Sequence, residues 1–491
     1  THVKKMNIDS EALKNELETL MKKMIDTVHE RHSEIEKVSE SQRISAVNLI
    51  QYLTLRKEDI RLLQDKLHIA GLSSLASSES HILRQVQALL LRLGKKFSPK
   101  DISLCDYTKG RDLIKSRSNQ LFGAKKDSRI PYLMVTFDSL LEDNHQMVVD
   151  LLNAGMNIAR INCAHDNDKS WKKMIESVRK ASKETGISCK IYMDIGGPKM
   201  RTTILGKGKK SAKVTLYEGD EFTLAEKDAK YDTSGIVIGC DEKDIVKQLK
   251  RGERVLFDDG VIEAIVLSNH NGLANLKVVR NSKKKNTLKA QKGMNFPESH
   301  FTIPALTEND RLALPFICEH ADLIGYSFVR EASDIKKLQK ELSQYNKKPT
   351  IILKIETSDA VKNLPSLLLQ GMHEDVFGVM IARGDLAVEI GFERMSEIQE
   401  EILWISEAAH VPVIWATQVL DNLNKSGIAT RSEVTDAFYA GQSECVMLNK
   451  GEYILRTLKA LTDILRRSGE HHVKKRFAFR PMQIASRYLK S

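Results

Sequence analysis

Gly384 and Asp385 stand where an apolar stretch of the chain ends and polar residues begin. Residues 379–382 are apolar or small and predict a buried strand, and a helical pattern follows from Glu393. A carboxylate is a hard oxygen ligand for Mg²⁺, and glycine leaves neighbouring backbone N–H groups open to an anion. Because α/β barrels keep their chemistry at the C-terminal ends of their strands, this segment predicts a metal and anion site. Arg383 beside it is expected to brace a carboxylate rather than to touch a substrate.

Lys354 and Glu356 repeat this arrangement about thirty residues upstream. They end a β-branched stretch, 351–356, that predicts another buried strand. Side chains alternate across a strand with a period of two, so both groups point to the same face. Such a pair seen alone is usually a surface ion pair. Two strands that each end in charged groups favour a shared site instead.

Composition limits the classes of protein that fit this chain. It has 491 residues, enough for two to four domains, and 41% of them are hydrophobic. No apolar run is long enough to cross a membrane, so we expect no membrane partner. The net charge of +11 is not accompanied by a nucleic-acid-binding motif, so anionic small substrates explain it better than nucleic acid. Six cysteines without a C-x-x-C pair favour a reducing, cytoplasmic location.

Strands and helices alternate from about residue 130 onward. The pattern indicates roughly eight strand–helix units, which is typical of a (β/α)₈ TIM barrel in the α/β class. We assign residues 129–199 and 296–469 to this barrel. The predicted strands cover 132–136, 157–161, 189–194, 322–328, 350–355, 376–382, 411–416 and 444–449.

Residues 200–295 interrupt this alternation between the third and fourth strands. They contain short alternating strands and the tight-turn pairs Asp259-Gly260 and Asn271-Gly272. This pattern predicts a small inserted β-barrel. Because it hangs over the C-terminal face of the larger barrel, it can act as a lid domain.

The two ends of the chain differ from its centre. Residues 1–128 predict an N-terminal helical region, because apolar residues recur there with the period of a helix. We expect this region to pack on the main domain or to pair two copies of the chain in a homo-oligomer. Residues 470–491 form a basic tail, and its cluster at 471–476 favours a solvated helix end over a site for an anionic partner.

Nine short motifs in this order resemble the pyruvate kinase family. The resemblance covers about 130–468, and its strength lies in the order of the motifs and their placement at strand ends. It implies the same (β/α)₈ barrel with an inserted β-barrel. The motifs are 155–162 GMNIARIN, 193–201 MDIGGPKMR, 292–297 KGMNFP, 327–330 SFVR, 354–356 KIE, 382–386 ARGDL, 416–418 ATQ, 430–433 TRSE and 446–448 VML.

The resemblance implies transfer of a phosphoryl group from phosphoenolpyruvate to ADP, giving pyruvate and ATP. Glu356 and Asp385 would hold Mg²⁺ or Mn²⁺. Lys354 would neutralise the transferring group and the developing enolate. Arg160 would clamp the phosphate, and Arg201 would contact it or reach the nucleotide.

The remaining implied roles concern the substrate carboxylate and the nucleotide. Backbone N–H groups at Gly384 and Asp385, with the Thr417 hydroxyl, would bind the carboxylate. Thr417 also stands where the family delivers a proton to the enolate, through water. Asn162 and His165, with Arg201, would lie at the nucleotide.

The motif around the third strand departs from the family pattern in its cation ligands. Potassium-dependent members carry serine and threonine oxygens where this chain has Ala164 and Ile195. Lys199 replaces an acidic residue, an exchange that potassium-independent members share. We therefore expect that K⁺ is not required and that the Lys199 ammonium replaces the monovalent cation, with Asn162 and Asp194 nearby.

Other departures concern the nucleotide and regulation. The nucleotide loop, 136–139, contains Asp138, which adds negative charge near phosphates, and 447–452 differs from the family as well. The additional α/β domain that commonly follows the barrel in the family, and that often binds effectors, does not follow here. On that basis we expect no allosteric response to sugar phosphates.

Two other functions fit parts of the pattern. A Mg²⁺-dependent lyase or aldolase that forms an enolate from a pyruvate-type substrate would use the same carboxylates. The inserted domain and the full set of Arg160, Arg201, Lys354 and Thr417 disfavour it. A catalytically weak binding or scaffold protein is favoured by the altered nucleotide loop and disfavoured by the retained charged groups.

Overall fold

The N-terminal region is helical, as its periodicity predicts. The computed structural model describes residues 9–125, 127–232, 234–283, 285–473 and 476–477. The side chain of Asp9 accepts hydrogen bonds from two backbone N–H groups of the first helix and so fixes its start. Before the barrel come the helices α1 Ser10–Glu30, α2 His32–Ile35, α3 Arg43–Lys57, α4 Arg61–Ile69, α5 Ile82–Arg92 and α6 Tyr107–Phe122.

The first three barrel strands alternate with helices and pair in parallel. The predicted bounds are correct to within a residue. The elements are β1 Tyr132–Thr136, α7 His145–Asn153, β2 Ile158–Asn162, α8 Asp168–Thr185 and β3 Lys190–Asp194.

Nine short strands follow β3, where the sequence predicts the inserted β domain. A seven-stranded mixed sheet in the order β12-β8-β9-β10-β6-β7-β4 and a separate β11-β5 pair form a barrel-like body with its own apolar core. These strands are β4 Thr202–Ile204, β5 Lys213–Tyr217, β6 Glu221–Ala225, β7 Val237–Cys240, β8 Arg254–Phe257, β9 Ile262–His270, β10 Leu273–Asn281, β11 Lys285–Lys289 and β12 Met294–Asn295.

The barrel then resumes and closes. Its eight strands lie in the order β1-β17-β16-β15-β14-β13-β3-β2, which confirms the predicted (β/α)₈ fold. The elements after the insertion are α9 Glu308–His320, β13 Leu323–Tyr326, α10 Ala332–Leu342, β14 Thr350–Ile355, α11 Ser358–Lys362, α12 Leu364–Gly371, β15 Gly378–Ala382, α13 Arg383–Ile390, α14 Met395–Ala408, β16 Val413–Ala416, α15 Asp421–Ser426, α16 Arg431–Tyr439, β17 Cys445–Leu448 and α17 Ile454–His471.

The end of the chain differs from the prediction in one respect. Helix α17 continues through His471, so the first part of the predicted basic tail is helical, and a two-residue pair follows it, β18 His472–Val473 with β19 Arg476–Phe477. Most of the predicted tail, 470–491, lies outside the described residues.

Helix α6 closes the end of the barrel opposite the predicted site. Its last residues, Leu121 and Phe122, are buried in one cluster with inward-facing strand residues such as Met134, Ile158 and Met380. The sequence alone placed α6 with the helical appendage. Its position shows that the N-terminal region completes the barrel core.

Buried polar contacts also join the N-terminal helices to the barrel. The Asn48 amide in α3 donates to the backbone carbonyl of Ala408 at 2.7 Å, and the buried Arg117 guanidinium donates to the carbonyl of His410 at 3.0 Å. Buried hydrogen bonds of this kind hold the two packed regions in one relative position, because a buried donor needs an acceptor. The region therefore packs on the main domain, as one of the two predicted arrangements requires. Within the described ranges, the helices are too short or too polar to cross a bilayer.

Candidate active site

Arg160 and Asp194 form a buried ion pair at the C-terminal ends of β2 and β3. The two strands pair in register, with Asn162 opposite Asp194. Arg160 Nε donates to Asp194 Oδ2 at 2.7 Å and Nη1 donates to Thr136 Oγ1 at 3.0 Å, so the guanidinium is fixed on two sides. A charged group held in this way needs little further ordering to bind an anion, and the phosphate-binding role of Arg160 stays a prediction.

Asp194 joins this pair to the middle of the barrel. Its Oδ1 accepts from the Tyr192 hydroxyl at 2.6 Å and lies 3.7 Å from Lys354 Nζ. Burial would raise the pKa of Asp194, but Lys354 and Arg160 hold it below its usual range, so the carboxylate stays ionised. Gly325 on β13 makes room for it, because a methyl group there would lie 1.8 Å from Asp194 Oδ1.

Lys354 and Glu356 point to the same face, as the period-two pattern predicts, and they are buried. Their exposed fractions are 7% and 3%, and Nζ lies 2.9 Å from Glu356 Oε1. This excludes the surface ion pair that is the commoner meaning of such spacing. Burial would lower the pKa of Lys354, but Asp194 and Glu356 raise it above its usual range, so the ammonium is retained.

Ser327 is a site residue for which no role was predicted. Its hydroxyl accepts from Lys354 Nζ at 3.0 Å and donates to the carbonyl of Ile195 at 2.7 Å. It therefore aims the ammonium from the end of a neighbouring strand. Its place near the C-terminal end of the predicted strand 322–328 was the available signal, because strand ends of one barrel converge.

Glu356 and Asp385 are the two carboxylates that could hold a metal. Glu356 Oε2 accepts from the backbone N–H of Phe328 at 2.6 Å, and Phe328 adopts a left-handed φ of 58° to present it. Burial raises the pKa of Glu356, Lys354 opposes this, and the negative charge of Asp385 adds to it. The two carboxylates are thus close enough to repel each other. Hard oxygen ligands whose charges repel suit a divalent cation such as Mg²⁺ or Mn²⁺.

Gly384 and Asp385 lie in the first turn of α13, and here the prediction was wrong. The helical pattern was expected from Glu393, whereas α13 already begins at Arg383. The first N–H groups of a helix have no partner within it, and the preceding residue, Ala382, supplies no side-chain cap. The expected anion site is therefore the N-terminus of a helix rather than a glycine loop.

Thr417 faces this helix N-terminus. Its backbone has a left-handed φ of 66°, and its Oγ1 would lie 3.7 Å from a methyl group added at Gly384. This hydroxyl oxygen is buried and has no hydrogen-bond partner among the described residues. Buried hydroxyls are normally paired, so an unpaired one beside free N–H groups suits a ligand that accepts and donates there.

Lys199 contacts one of the two predicted metal ligands. Its Nζ lies 3.2 Å from both Oδ1 and Oδ2 of Asp385. The side chains are 24% and 15% exposed, so this is a half-buried pair and not a solvated surface lysine. The described contacts of Lys199 are thus with the metal ligand rather than with Asn162 or Asp194, which were predicted to lie nearby.

The three residues predicted at the nucleotide lie at the rim of the site. The backbone N–H of Arg201 donates a hydrogen bond to Asp241 Oδ1 at 2.7 Å, and its Nη1 donates to the carbonyl of Gln291 at 3.2 Å. Burial lowers the pKa of His165, and the charges of Lys450 and Arg201 lower it further. Asn162 Oδ1 accepts from the backbone N–H of Ala164 at 3.1 Å and shapes its own loop.

Arg383 braces the site, as predicted. It donates from Nη2 to Asp436 Oδ2 at 2.8 Å and from Nε to the carbonyl of Ala416 at 3.0 Å, and it stacks on Trp415. Asp436 was missed, because only the fold brings α16 next to the end of β15. The contact with Ala416 holds the strand end that presents Thr417.

The inserted domain meets the barrel beside Asp385. A cavity of about 80 Å³ there is lined by residues of both domains, including Lys199, Asn295 and Glu389. The Asn295 amide donates to Glu389 Oε1 at 3.2 Å. Burial raises the pKa of Glu389 to about 7, with the negative charge of Asp385 contributing. Burial between the two domains therefore favours a protonated Glu389, although the hydrogen bond from Asn295 lowers its pKa.

This pKa predicts a pH-dependent stability. The folded protein binds the Glu389 proton more tightly than the unfolded chain, so stability falls as pH rises from 4.5 to about 7 and stays lower above it. Glu389→Gln keeps an acceptor for Asn295 without the charge. We expect it to raise Tm by a few degrees at pH 8 in chelator, and by much less at pH 5. Thermal scans at both pH values test this, with the exposed Glu397→Gln as control. Equal gains at pH 5 and pH 8 would contradict it.

The family model for the barrel domain of pyruvate kinase matches residues 136–455 of this chain. A pyruvate kinase of Staphylococcus saprophyticus is 32% identical over 331 residues, covering 66% of this chain and 54% of the relative. A cytosolic isozyme of pyruvate kinase from Nicotiana tabacum is 33% identical over 310 residues, covering 62% and 58%. A pyruvate kinase of Staphylococcus aureus is 30% identical over 312 residues, covering 62% and 51%. The chain thus spans about half the length of the curated relatives that it matches.

Proposed function

The chain belongs to the pyruvate kinase family, and we propose that it transfers the phosphoryl group of phosphoenolpyruvate to ADP, forming pyruvate and ATP. The observation that carries this proposal is the buried network of Arg160, Asp194, Lys354 and Glu356 at adjoining strand ends. Phosphoryl transfer needs positioning and charge neutralisation more than covalent chemistry. Two fixed cations held by two carboxylates supply both.

We assign the phosphate and enolate ends of the substrate to the two buried cations. Arg160 would hold phosphate oxygens, because its guanidinium is already oriented by Asp194 and Thr136. Lys354 would neutralise charge that develops on the transferring group and on the enolate oxygen, with Ser327 aiming it. Because both groups are oriented before substrate binds, little reorganisation is needed in the transition state.

The substrate carboxylate fits the N-terminus of α13. Its free N–H groups at Gly384 and Asp385 favour an anion, and the unpaired Thr417 hydroxyl would donate to it. The same hydroxyl would pass a proton to the enolate carbon through water, which gives pyruvate. Thr417 is the group here that can both bind the carboxylate and relay a proton.

Glu356 and Asp385 would hold Mg²⁺ or Mn²⁺, and we assign no other protein ligand. When bound, the ion supplies positive charge next to the substrate oxygens. Within the described ranges no three His, Cys, Asp or Glu side chains converge as a ready-made metal cage. That is expected where substrate oxygens and water complete the coordination.

Nucleotide binding is assigned to Asn162, His165 and Arg201 at the rim, and the insertion at 200–295 is proposed as a lid over them. Asp138, in the loop after β1, would add negative charge near the phosphates of the nucleotide. We also propose a cytoplasmic location and a homo-oligomer formed through the helical region, 1–128.

We expect turnover to be independent of K⁺. Ala164 and Ile195 lack the side-chain oxygens of a potassium site, and Lys199 supplies a positive charge beside Asp385, one of the two proposed metal ligands. Rates should be similar in K⁺ and in a tetraalkylammonium salt at matched ionic strength, and Lys199→Glu should lower them. Strong stimulation of the unmutated protein by K⁺ would contradict the assignment.

The proposed activity is tested by pyruvate formation from phosphoenolpyruvate with Mg²⁺ and a panel of nucleoside diphosphates. Pyruvate that appears only with a nucleoside diphosphate, in equal amount with the triphosphate, supports the proposal. Enolate or pyruvate chemistry on other substrates without a nucleotide would favour the lyase or aldolase. Metal and substrate binding without turnover would favour a binding or scaffold protein.

A further inference from the structure

Lys199 and a divalent cation compete for the charge of Asp385. The ammonium is equidistant from both carboxylate oxygens, 3.2 Å from each. A carboxylate has further lone pairs, but a metal on the same oxygens would bring a charge of +2 close to this ammonium. A charge of +1 and a charge of +2 repel strongly at such separations in a half-buried setting. Binding of a metal to Asp385 therefore opposes the present position of Lys199.

The position of Lys199 is set by the inserted domain. A methyl group added at Gly293 would lie 2.8 Å from Lys199 Cε and 3.4 Å from Nζ, so the lysine stem passes directly over this glycine. Gly293 is also bridged to Arg201. The backbone just before β12 thus guides the ammonium toward Asp385, and a glycine is needed for that close approach.

We propose that Lys199 occupies the metal position at Asp385 in the metal-free protein and is displaced when the divalent cation binds. The proposal rests on the proposed function, because it takes Asp385 as a metal ligand. Lys199 neutralises Asp385, whose charge otherwise repels the buried Glu356. Once displaced, its flexible stem allows the ammonium to turn toward the anionic substrate.

Two consequences follow for binding. Metal affinity is lowered, because binding must first break the ion pair between Lys199 and Asp385. Metal and anionic substrate also favour each other, because the displaced ammonium gains an anionic partner only when the metal is present. Such coupling is reciprocal: substrate raises metal affinity by the same factor by which metal raises substrate affinity.

The test measures binding of Mn²⁺ to the whole protein by the loss of the free-ion electron paramagnetic resonance signal, without substrate or nucleotide. We expect Lys199→Met to lower the Kd for Mn²⁺ on the order of tenfold, the size expected when a half-buried competing charge is removed. Gly293→Ala should shift the Kd in the same direction, because its methyl group pushes Lys199 aside. Lys292→Met is the matched control: it removes a neighbouring ammonium, paired with Asp258 at 2.8 Å, and should leave the Kd unchanged.

A second measurement follows the coupling itself. Phosphoenolpyruvate should tighten Mn²⁺ binding more in the unmutated protein than in Lys199→Met. An unchanged or higher Kd in Lys199→Met, with Mn²⁺ binding intact in the parent and lost in Asp385→Asn, would overturn the inference and leave the metal site standing. Absence of Mn²⁺ binding in the parent and in Lys199→Met, even with phosphoenolpyruvate, would overturn both the inference and the proposed function.

Discussion

We expect Asp385→Ala to abolish turnover while leaving the protein folded. This carboxylate is one of the two protein ligands assigned to the divalent cation, and the methyl side chain of alanine offers no oxygen to replace it. The loss of rate should be at least on the order of 10³-fold, because charge neutralisation at the transferring group depends on the ion. Its structural role should be small, because its described ion pair is with Lys199, whose flexible stem can carry the ammonium toward solvent, and because its removal relieves the repulsion of the buried Glu356. Pyruvate formation and Tm, measured on the same preparation, check both parts.

A matched variant separates the metal role from a general charge effect. Asp359→Ala removes another carboxylate from the lining of the same cavity, paired with His300 at 3.4 Å, and should retain most of the activity. Excess chelator should reproduce the Asp385→Ala loss in the parent protein. Undiminished turnover in Asp385→Ala, or in chelator, would remove Asp385 from the metal site.

The barrel and the convergence of its strand ends could be predicted because they depend on local periodicity. Alternation along β14 alone places Lys354 and Glu356 on one face, and eight strand–helix units leave few folds to consider. The resemblance to the family, rather than this periodicity, placed Arg160 in the same site and put Asp194 near Lys199. The structure shows in addition that Lys354, Glu356, Arg160 and Asp194 are buried and joined by ion pairs, which the spacing alone did not indicate.

Contacts between distant segments could not be predicted in this way. The pairing of Lys199 with Asp385 depends on how the insertion is placed over the barrel and on the missing side chain of Gly293. The early start of α13 at Arg383 was missed because glycine disfavours a helix and no capping side chain precedes it. Only tertiary contacts, such as those of Arg383 with Asp436 and Ala416, stabilise a helix there.

Lys354→Met should lower kcat on the order of 10²-fold or more. The ammonium lies where negative charge develops during transfer, and its removal leaves no donor in that position. The structure also predicts that this substitution lowers the stability of the fold. Lys354 lies 2.9 Å from Glu356 and 3.7 Å from Asp194, so the substitution leaves buried carboxylates without their shared cation. Breaking such a buried pair commonly costs about 3 to 5 kcal/mol, so Tm should fall as well.

Lys354→Arg separates catalysis from folding. Arginine keeps the positive charge among Asp194 and Glu356, so most of the stability should return. Its planar guanidinium cannot place a compact charge where Ser327 now aims the ammonium, so the rate should stay low. The measurements are kcat and Tm for both variants, at a temperature where each is folded. Wild-type kcat in either variant would show that Lys354 is structural, whereas a rate loss in Lys354→Arg with a restored Tm assigns it to the chemistry.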